Sequence, residues 1–377
     1  MKILLDPQIY NSQRFGGISR YYTEVFSVLV NRKNLSIVVP LNNSTNIYFN
    51  ESILFSNRQK IYFLLTKTLN KLRLSKKIKL EHYKNKYLAF ILNKQEYDLF
   101  VPTYYDAYFL KNIGAKPFVL TVYDMIHELF PEYFIDDKMV VKNKLLLMEK
   151  ATRIIAVSEN TKKDILKIYP HIDKSKIDVV YHGCSLKPNY HVDVSLPKKY
   201  ILFVGNRDNY KNFRFLAESI SELLKNDKDL FLICAGGGDF NSSEKEMISK
   251  FGLETQIIQK YFNENELGYF YNKAKCFIFP SLYEGFGIPV LESMTCGCPV
   301  VLGKHSAFVE VAGEAGVYFD INCAKDLKDK IQSIIQNESL RNEISLKGLE
   351  QVKKFSWEKA ATECLQVYNK ALAINKV

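Results

Sequence analysis

Phe279-Pro280-Ser281-Leu282-Tyr283-Glu284-Gly285-Phe286-Gly287-Ile288-Pro289-Val290-Leu291-Glu292 closes an apolar run, passes through two glycines and opens a helical pattern with Pro289 near its first position. It reads as a strand, a glycine loop and a helix start. The glycines let the backbone approach a ligand closely, and the exposed N–H groups of a first helical turn, with the helix dipole, favour an anion such as a diphosphate. Glu284 can accept hydrogen bonds from sugar hydroxyls, and Glu292 can chelate two adjacent ribose hydroxyls from the helix. The plainer alternative is a tight turn followed by a helix-start acid that complements the dipole.

Working outward, short β-branched or apolar runs recur between helical patterns at 3–5, 36–39, 99–101, 118–122, 154–157 and 179–181, then, after a polar Pro-containing stretch, at 200–204, 230–234, 256–258, 276–279 and 299–301. Strands alternating with helices predict α/β architecture. Two doubly wound parallel sheets result, with ligands at the carboxyl ends of their strands and in the cleft between the two lobes. The expected organisation is a Rossmann-like domain over 1–185, a linker over 186–199, a second Rossmann-like domain over 200–355 and a C-terminal helix over 356–377 that returns to the first domain. Behind Asp320 the pattern turns wholly helical.

With 377 residues, 47% of them hydrophobic, the chain is long enough for two sizeable cores. No apolar run approaches the roughly 18 residues of a membrane span, and Asp6 cuts the opening Ile3-Leu4-Leu5 short, so a cytoplasmic protein is expected. The seven cysteines include no Cys-x-x-Cys pair and suit reduced core positions rather than disulfides or zinc. The net charge of +11 is concentrated between Arg58 and Lys86, where ten Lys or Arg face a single acid, Glu81. Apolar residues at near-helical spacing make 58–86 either a basic amphipathic helix lying on anionic lipid, at the inner face of a membrane, or a solvated surface helix. No nucleic-acid-binding signature accompanies the charge, so no nucleic acid is expected as a partner. Asp227-Lys228-Asp229 has the Asp-x-Asp form of a metal site, but it lies in a polar turn between a helix and a strand, and no metal is expected.

Val204-Gly205-Asn206-Arg207-Asp208-Asn209-Tyr210-Lys211-Asn212 links a strand to a helix, and its Arg207 and Lys211 are candidate cations for charge growing on a leaving diphosphate, with the turn at Gly205 close to the donor. Near the start, Gly16-Gly17 lies between a strand and a helix, where the backbone can meet a diphosphate. Asp124 and His127 lie just past the strand at 118–122, at the cleft end of that strand, and a lone histidine there is as readily structural as functional. The run Gly236-Gly237-Gly238 lets the chain turn near a nucleotide whose base Tyr261 or Phe262 would flank.

The paired glutamates around Gly285-Phe286-Gly287 make the sequence resemble the family 4 retaining glycosyltransferases of GT-B fold. Further matching segments lie at 15–21, 157–161, 181–183, 310–313 and 355–358. The resemblance implies that Glu284 lies beside the donor sugar and Glu292 holds the ribose, while Gly285, Phe286, Gly287, Ile288 and Pro289 meet sugar and phosphate. It also implies an Arg and a Lys in the loop at 204–212. Lys211 fits, but Arg207 sits two residues past Gly205, whereas many relatives carry the arginine directly after the glycine or just before the lysine. Many relatives also place a histidine immediately before the aspartate; Tyr123 stands there instead, which makes Asp124 or His127 the substitute.

The implied activity is retaining transfer from a GDP-, UDP- or dTDP-linked sugar, with no further cofactor, to a glycan or lipid-linked glycan, as in bacterial surface-polysaccharide mannosyl transfer. A nucleotide-sugar epimerase of the same architecture and a non-catalytic basic membrane-surface protein are the rival readings.

Overall fold

The computed structural model describes residues 1–41, 44–55, 80–189, 192, 194–207 and 209–374, with the side chains of 80–86 and Glu264 outside that description. The basic stretch 58–79 therefore lies outside the described residues, as do the side chains that complete it to Lys86. The chain forms two compact units: Met1–Val157 with Thr161–His182 and Trp357–Val377, and Gly183–Ser356 with Ser158–Asn160.

In the first unit, β1 (Lys2–Leu5) lies between β2 (Ser36–Val38) and β3 (Leu99–Val101), while β5 (Arg153–Ala156) lies between β4 (Val119–Val122) and β6 (Ile177–Val179). All of these pairs are parallel, and a parallel bridge from Phe100 to Phe118 joins the two sets. Residues 3–5, 99–101 and 119–122 are buried throughout, as expected of strands covered on both faces. The helix Gly17–Leu29 turns Tyr21, Tyr22, Val25, Phe26 and Leu29 inward, a spacing of three and four residues that puts them on one face. The last helix, Trp357–Ile374, packs on that helix through Tyr21 with Cys364 (3.4 Å) and Phe26 with Tyr368 (ring centroids 6.3 Å), and Arg32 is ion-paired to Glu358. The expected return of the C-terminal helix to the first domain is what these contacts produce.

The second unit carries a six-stranded parallel sheet in the order β9-β8-β7-β10-β11-β12, formed by β7 (Tyr200–Val204), β8 (Phe231–Ala235), β9 (Ile257–Lys260), β10 (Phe277–Phe279), β11 (Val300–Gly303) and β12 (Gly316–Phe319). Numbered within the unit this is the 3-2-1-4-5-6 order of a dinucleotide-binding fold, which reverses between β7 and β10. The reversal leaves a crevice at the carboxyl ends of those two strands.

The sequence pattern missed β12, although Val317-Tyr318-Phe319 is a β-branched and aromatic run; its first three residues are half-buried at the sheet edge. Nor is Gln256 a strand residue. Its amide donates to the carbonyls of Leu224, Asp227 and Leu230 (2.8–3.0 Å), tying a helix end to the turn before β8, and the strand begins after it. Asp227, in the rejected metal motif, pairs with Lys199 at 2.5 Å. The stretch expected as a linker packs on the second unit: a Cβ on Gly268 would sit 2.2 Å from the Lys187 carbonyl, and Asn189 donates to the Asn265 carbonyl at 3.0 Å. Five of the seven cysteines are buried, all as free thiols. Among the described residues no helix is long and apolar enough to cross a membrane.

Candidate active site

At the order reversal of the second unit, β7 is followed by Gly205 (φ +105°) and β10 by Pro280, and the two loops are stitched by the Leu282 N–H donating to the Tyr210 carbonyl at 2.8 Å. This brings Lys211 and Glu284 together, Nζ to Oε1 at 2.6 Å. Burial works against the lysine's charge. The Glu284 carboxylate and Tyr210 outweigh it, raising the Lys211 pKa above its ordinary value, so the ammonium persists at neutral pH. The ammonium also lies over the rings of Tyr210 (4.8 Å) and Phe279 (5.1 Å).

Glu284 is held by its backbone as well. Ser306, in the loop after β11, accepts from the Glu284 N–H (3.0 Å) and donates to its carbonyl (2.7 Å). Ser306 has φ +55°, a conformation uncommon for a residue with a side chain. The sequence reading gave this serine no role; its only signal was a small polar residue just past a buried strand.

Gly287 (φ +94°) leads the helix Ile288–Thr295, and a Cβ there would press on Phe308 at 3.3 Å, so the glycine is required by conformation and by space. Gly285 is buried and Phe286 packs edge-on against Phe355 (5.9 Å), while Ile288 and Pro289 are half-buried in the first turn. Glu292 lies beyond that turn and is 5% exposed, with the Tyr271 hydroxyl donating to Oε2 at 3.3 Å. Glu292 is thus a buried, hydrogen-bonded acid placed after the first turn of the helix.

Arg207 is placed differently from the expectation of a second cation at the leaving group. Its Nε donates to Glu244 (2.8 Å), Nη1 to the Gly236 carbonyl (3.1 Å), and Nη2 to those of Gly238 and Asp239 (both 3.0 Å). The guanidinium also lies over Phe240 at 4.8 Å. Tyr261, 65% exposed, donates its hydroxyl to Asp239 at 2.9 Å, and Phe262 touches the position a Cβ of Gly236 would take (3.1 Å).

In the first unit, Gly16 precedes the helix Gly17–Leu29 in an extended conformation. The Gln13 side chain occupies the space a Cβ on Gly16 would need (2.6 Å), while nothing lies within 4 Å of a Cβ on Gly17. Gly17 therefore opens onto free space at a helix N-terminus, and Gly16 is restricted by its neighbour.

The strand β4 delivers Asp124, His127 and Glu128. Asp124 Oδ1 accepts from the Ile126 N–H (3.1 Å) and lies 4.0 Å from His127 Nδ1, while His127 Nε2 lies 3.6 Å from Asp137. Burial, with the Lys144 charge, lowers the His127 pKa against three nearby carboxylates, so the ring is neutral at pH 7. Lys144, with no exposed side-chain surface, donates to Glu128 (2.9 Å) and to the Asp124 carbonyl (3.1 Å) and lies over the Tyr105 ring at 5.1 Å. Sequence reading missed it, although its apolar-face position is legible from the buried Leu147 and Met148 one turn on.

Asp6, at the carboxyl end of β1 and fully buried, was read only as the residue that breaks an apolar run. It accepts from the N–H groups of Thr103 and Gln8 (both 3.2 Å) and from the Tyr108 hydroxyl, yet burial outweighs these and pushes its pKa up to about 6.

Two family models match the chain in succession: Glycosyltransferase Family 4 over residues 15–187 and Glycosyl transferases group 1 over residues 191–351. The chain belongs to the family 4 glycosyltransferases. Among its relatives, O-antigen chain mannosyltransferase B of Escherichia coli is 29% identical over 266 residues, spanning 66% of this chain and 69% of that protein. Among solved structures, sucrose-phosphate synthase from Thermosynechococcus elongatus superposes with a TM-score of 0.73 at 19% identity, covering 99% of this chain and all (100%) of the other. Anabaena HepE, solved in complex with UDP and glucose, does so with a TM-score of 0.71 at 16% identity, covering 98% and 99%. These likenesses establish the GT-B fold for this glycosyltransferase.

Proposed function

We propose that this glycosyltransferase moves a sugar from a nucleoside-diphosphate sugar to a glycan or lipid-linked glycan acceptor in cell-surface polysaccharide synthesis, with retention of anomeric configuration and without a metal ion. One observation carries the reading: a protonated Lys211 held 2.6 Å from Glu284, at the strand-order reversal and beside a glycine-led helix start. Lys211 and the N–H groups of that first turn neutralise charge that grows on the departing diphosphate, and such preorganised groups act most strongly where charge develops. Glu284 reads the sugar hydroxyls and Glu292 the ribose.

Glu284 is the single carboxylate this reading sets beside the sugar, whereas a covalent double displacement needs two about 5 Å apart across the scissile bond. The acceptor therefore attacks an oxocarbenium-like sugar from the face the diphosphate leaves, and the diphosphate oxygen takes its proton. Asp124 and the neutral His127 orient the acceptor hydroxyl, Gly16 and Gly17 give it and the diphosphate close backbone approach, and Tyr261 flanks the base. Likeness to an O-antigen mannosyltransferase supports a surface-glycan acceptor, and a structural neighbour bound to UDP supports the donor class. Attachment at the inner face of the membrane through 58–86 would bring the enzyme to a lipid-linked acceptor.

The test is transfer by the purified protein from GDP-, UDP-, ADP- and dTDP-sugars, with the anomeric configuration of the product read by NMR. Retention, unaltered rates in a chelator, and a turnover loss of about a hundredfold or more in Glu284→Gln at unchanged melting temperature are the expected results. An inverted product, loss of activity in the chelator, or full turnover by the variant would each overturn the corresponding part.

A further inference from the structure

Arg207 and the glycine run at 236–238 form a unit that the transfer reaction, as read above, leaves without a role. Gly236, Gly237 and Gly238 all have positive φ (+79°, +71° and +73°), so the chain makes a left-handed turn directly after β8. The carbonyls of 236, 238 and 239 converge on the guanidinium, which is 3% exposed and also bonded to Glu244. The turn lies against the end of β7, because a Cβ on Gly237 would fall 2.5 Å from the Gly205 carbonyl and 2.8 Å from Arg207 Nη1.

A guanidinium has five donor hydrogens. The bonds at or below 3.1 Å use one on Nε, one on Nη1 and both on Nη2, leaving at most one for any ligand. The two-pronged grip by which arginine recognises phosphate needs two parallel donors and is therefore unavailable. In a turn of one hand the carbonyls point one way and the N–H groups the other. With its carbonyls anchored on Arg207, the turn is open at Gly238, where a Cβ would meet nothing within 4 Å.

We propose that Arg207 is a positioning residue that holds the turn Gly236–Gly238 in its left-handed form against the nucleoside portion of the donor, leaving Lys211 as the cation for the leaving diphosphate. The inference rests on the reading of this unit as the nucleotide-sugar site. Glu244 completes the device. It neutralises Arg207 and, through the capping box with Asn241, starts the helix Ser242–Lys250, so turn and helix are braced by one ion pair.

The test compares the full-length protein with Arg207→Lys, which keeps the charge but loses the planar fork, and with Glu244→Gln, which keeps the capping geometry but loses the charge. Without ligand, amide hydrogen exchange over 236–244 is expected to quicken about tenfold in Arg207→Lys while 277–295 stays as in the wild type. With whichever of UDP, GDP, ADP or dTDP binds the wild type, both variants are expected to weaken the nucleoside monophosphate and diphosphate by the same factor, about tenfold. Unchanged exchange over 236–244 overturns the proposal. So does an Arg207→Lys that binds the diphosphate normally while Arg207→Ala loses affinity for the diphosphate alone. If the wild type binds none of the four diphosphates, the functional reading fails, and the exchange result still decides what Arg207 holds.

Discussion

Two ion-paired lysines, one in each unit, make the same kind of bond and have different consequences. Lys211 reaches Glu284 at 2.6 Å with 18% and 16% of the two side chains exposed, whereas Lys144 reaches Glu128 at 2.9 Å with 0% and 4% exposed. Lys144 is also bonded to the Asp124 carbonyl, so it braces the turn carrying Asp124 and His127. Lys211 lies on the loop after β7, where the strand order reverses, and in the proposed function its charge meets the departing diphosphate. Partial exposure at a strand's carboxyl end marks the pair suited to chemistry; complete enclosure marks the one suited to support.

The sharpest way to break this contrast is to remove each lysine. Lys144→Ala leaves Glu128 as an uncompensated buried charge and is expected to cost about 3–5 kcal/mol in denaturant unfolding, while Lys211→Ala leaves a carboxylate that water can reach and costs about 1 kcal/mol or less. Equal losses would show that enclosure does not separate the two pairs.

A second measurement concerns Asp6, also buried but without an ion-paired cation among the described residues. Its folded pKa of about 6 stands above the ordinary carboxyl value of 3.8, so its contribution to stability is fully present below pH 3.8 and is lost as pH rises through 6. Melting curves of the wild type and Asp6→Asn should therefore diverge between pH 4 and pH 7 in favour of the variant, by at most about 3 kcal/mol. A constant difference across that range would mean that Asp6 titrates normally.

The smallest expected effects come from the two glycine-led helices. Gly287→Ala, at φ +94° and against Phe308, should cost about 1–2 kcal/mol, and Gly17→Ala, facing open space, less than about 0.5 kcal/mol. Activity sharpens the point, since Gly17→Val should lower transfer well before it lowers the melting temperature. A Gly17→Val that transfers normally would remove the ligand from that helix start.

Much of this was legible without coordinates because it depends on local pattern. The stretch Phe279–Glu292 showed strand, glycine loop and helix start, and the Lys211 loop was recognisable from its place after a buried strand. What escaped reading depended on contacts far apart in the chain. Ser306 grips Glu284 from 22 residues away, and Arg207 finds Glu244 at a separation of 37. Charge alone suggested equal roles for Arg207 and Lys211; the difference lies in which carbonyls and carboxylates surround each tip.

The alternation of strands and helices, the positions where only glycine fits a turn, and most of the buried faces were settled by the sequence itself, since periodicity and backbone sterics act over a few residues. The partners of the charged side chains were settled by tertiary structure. A lysine or arginine reaches several ångströms from its backbone, and strand order determines which loop ends come within that reach. In this chain the 3-2-1-4-5-6 order set Lys211 beside Glu284 and Arg207 beside the glycine turn.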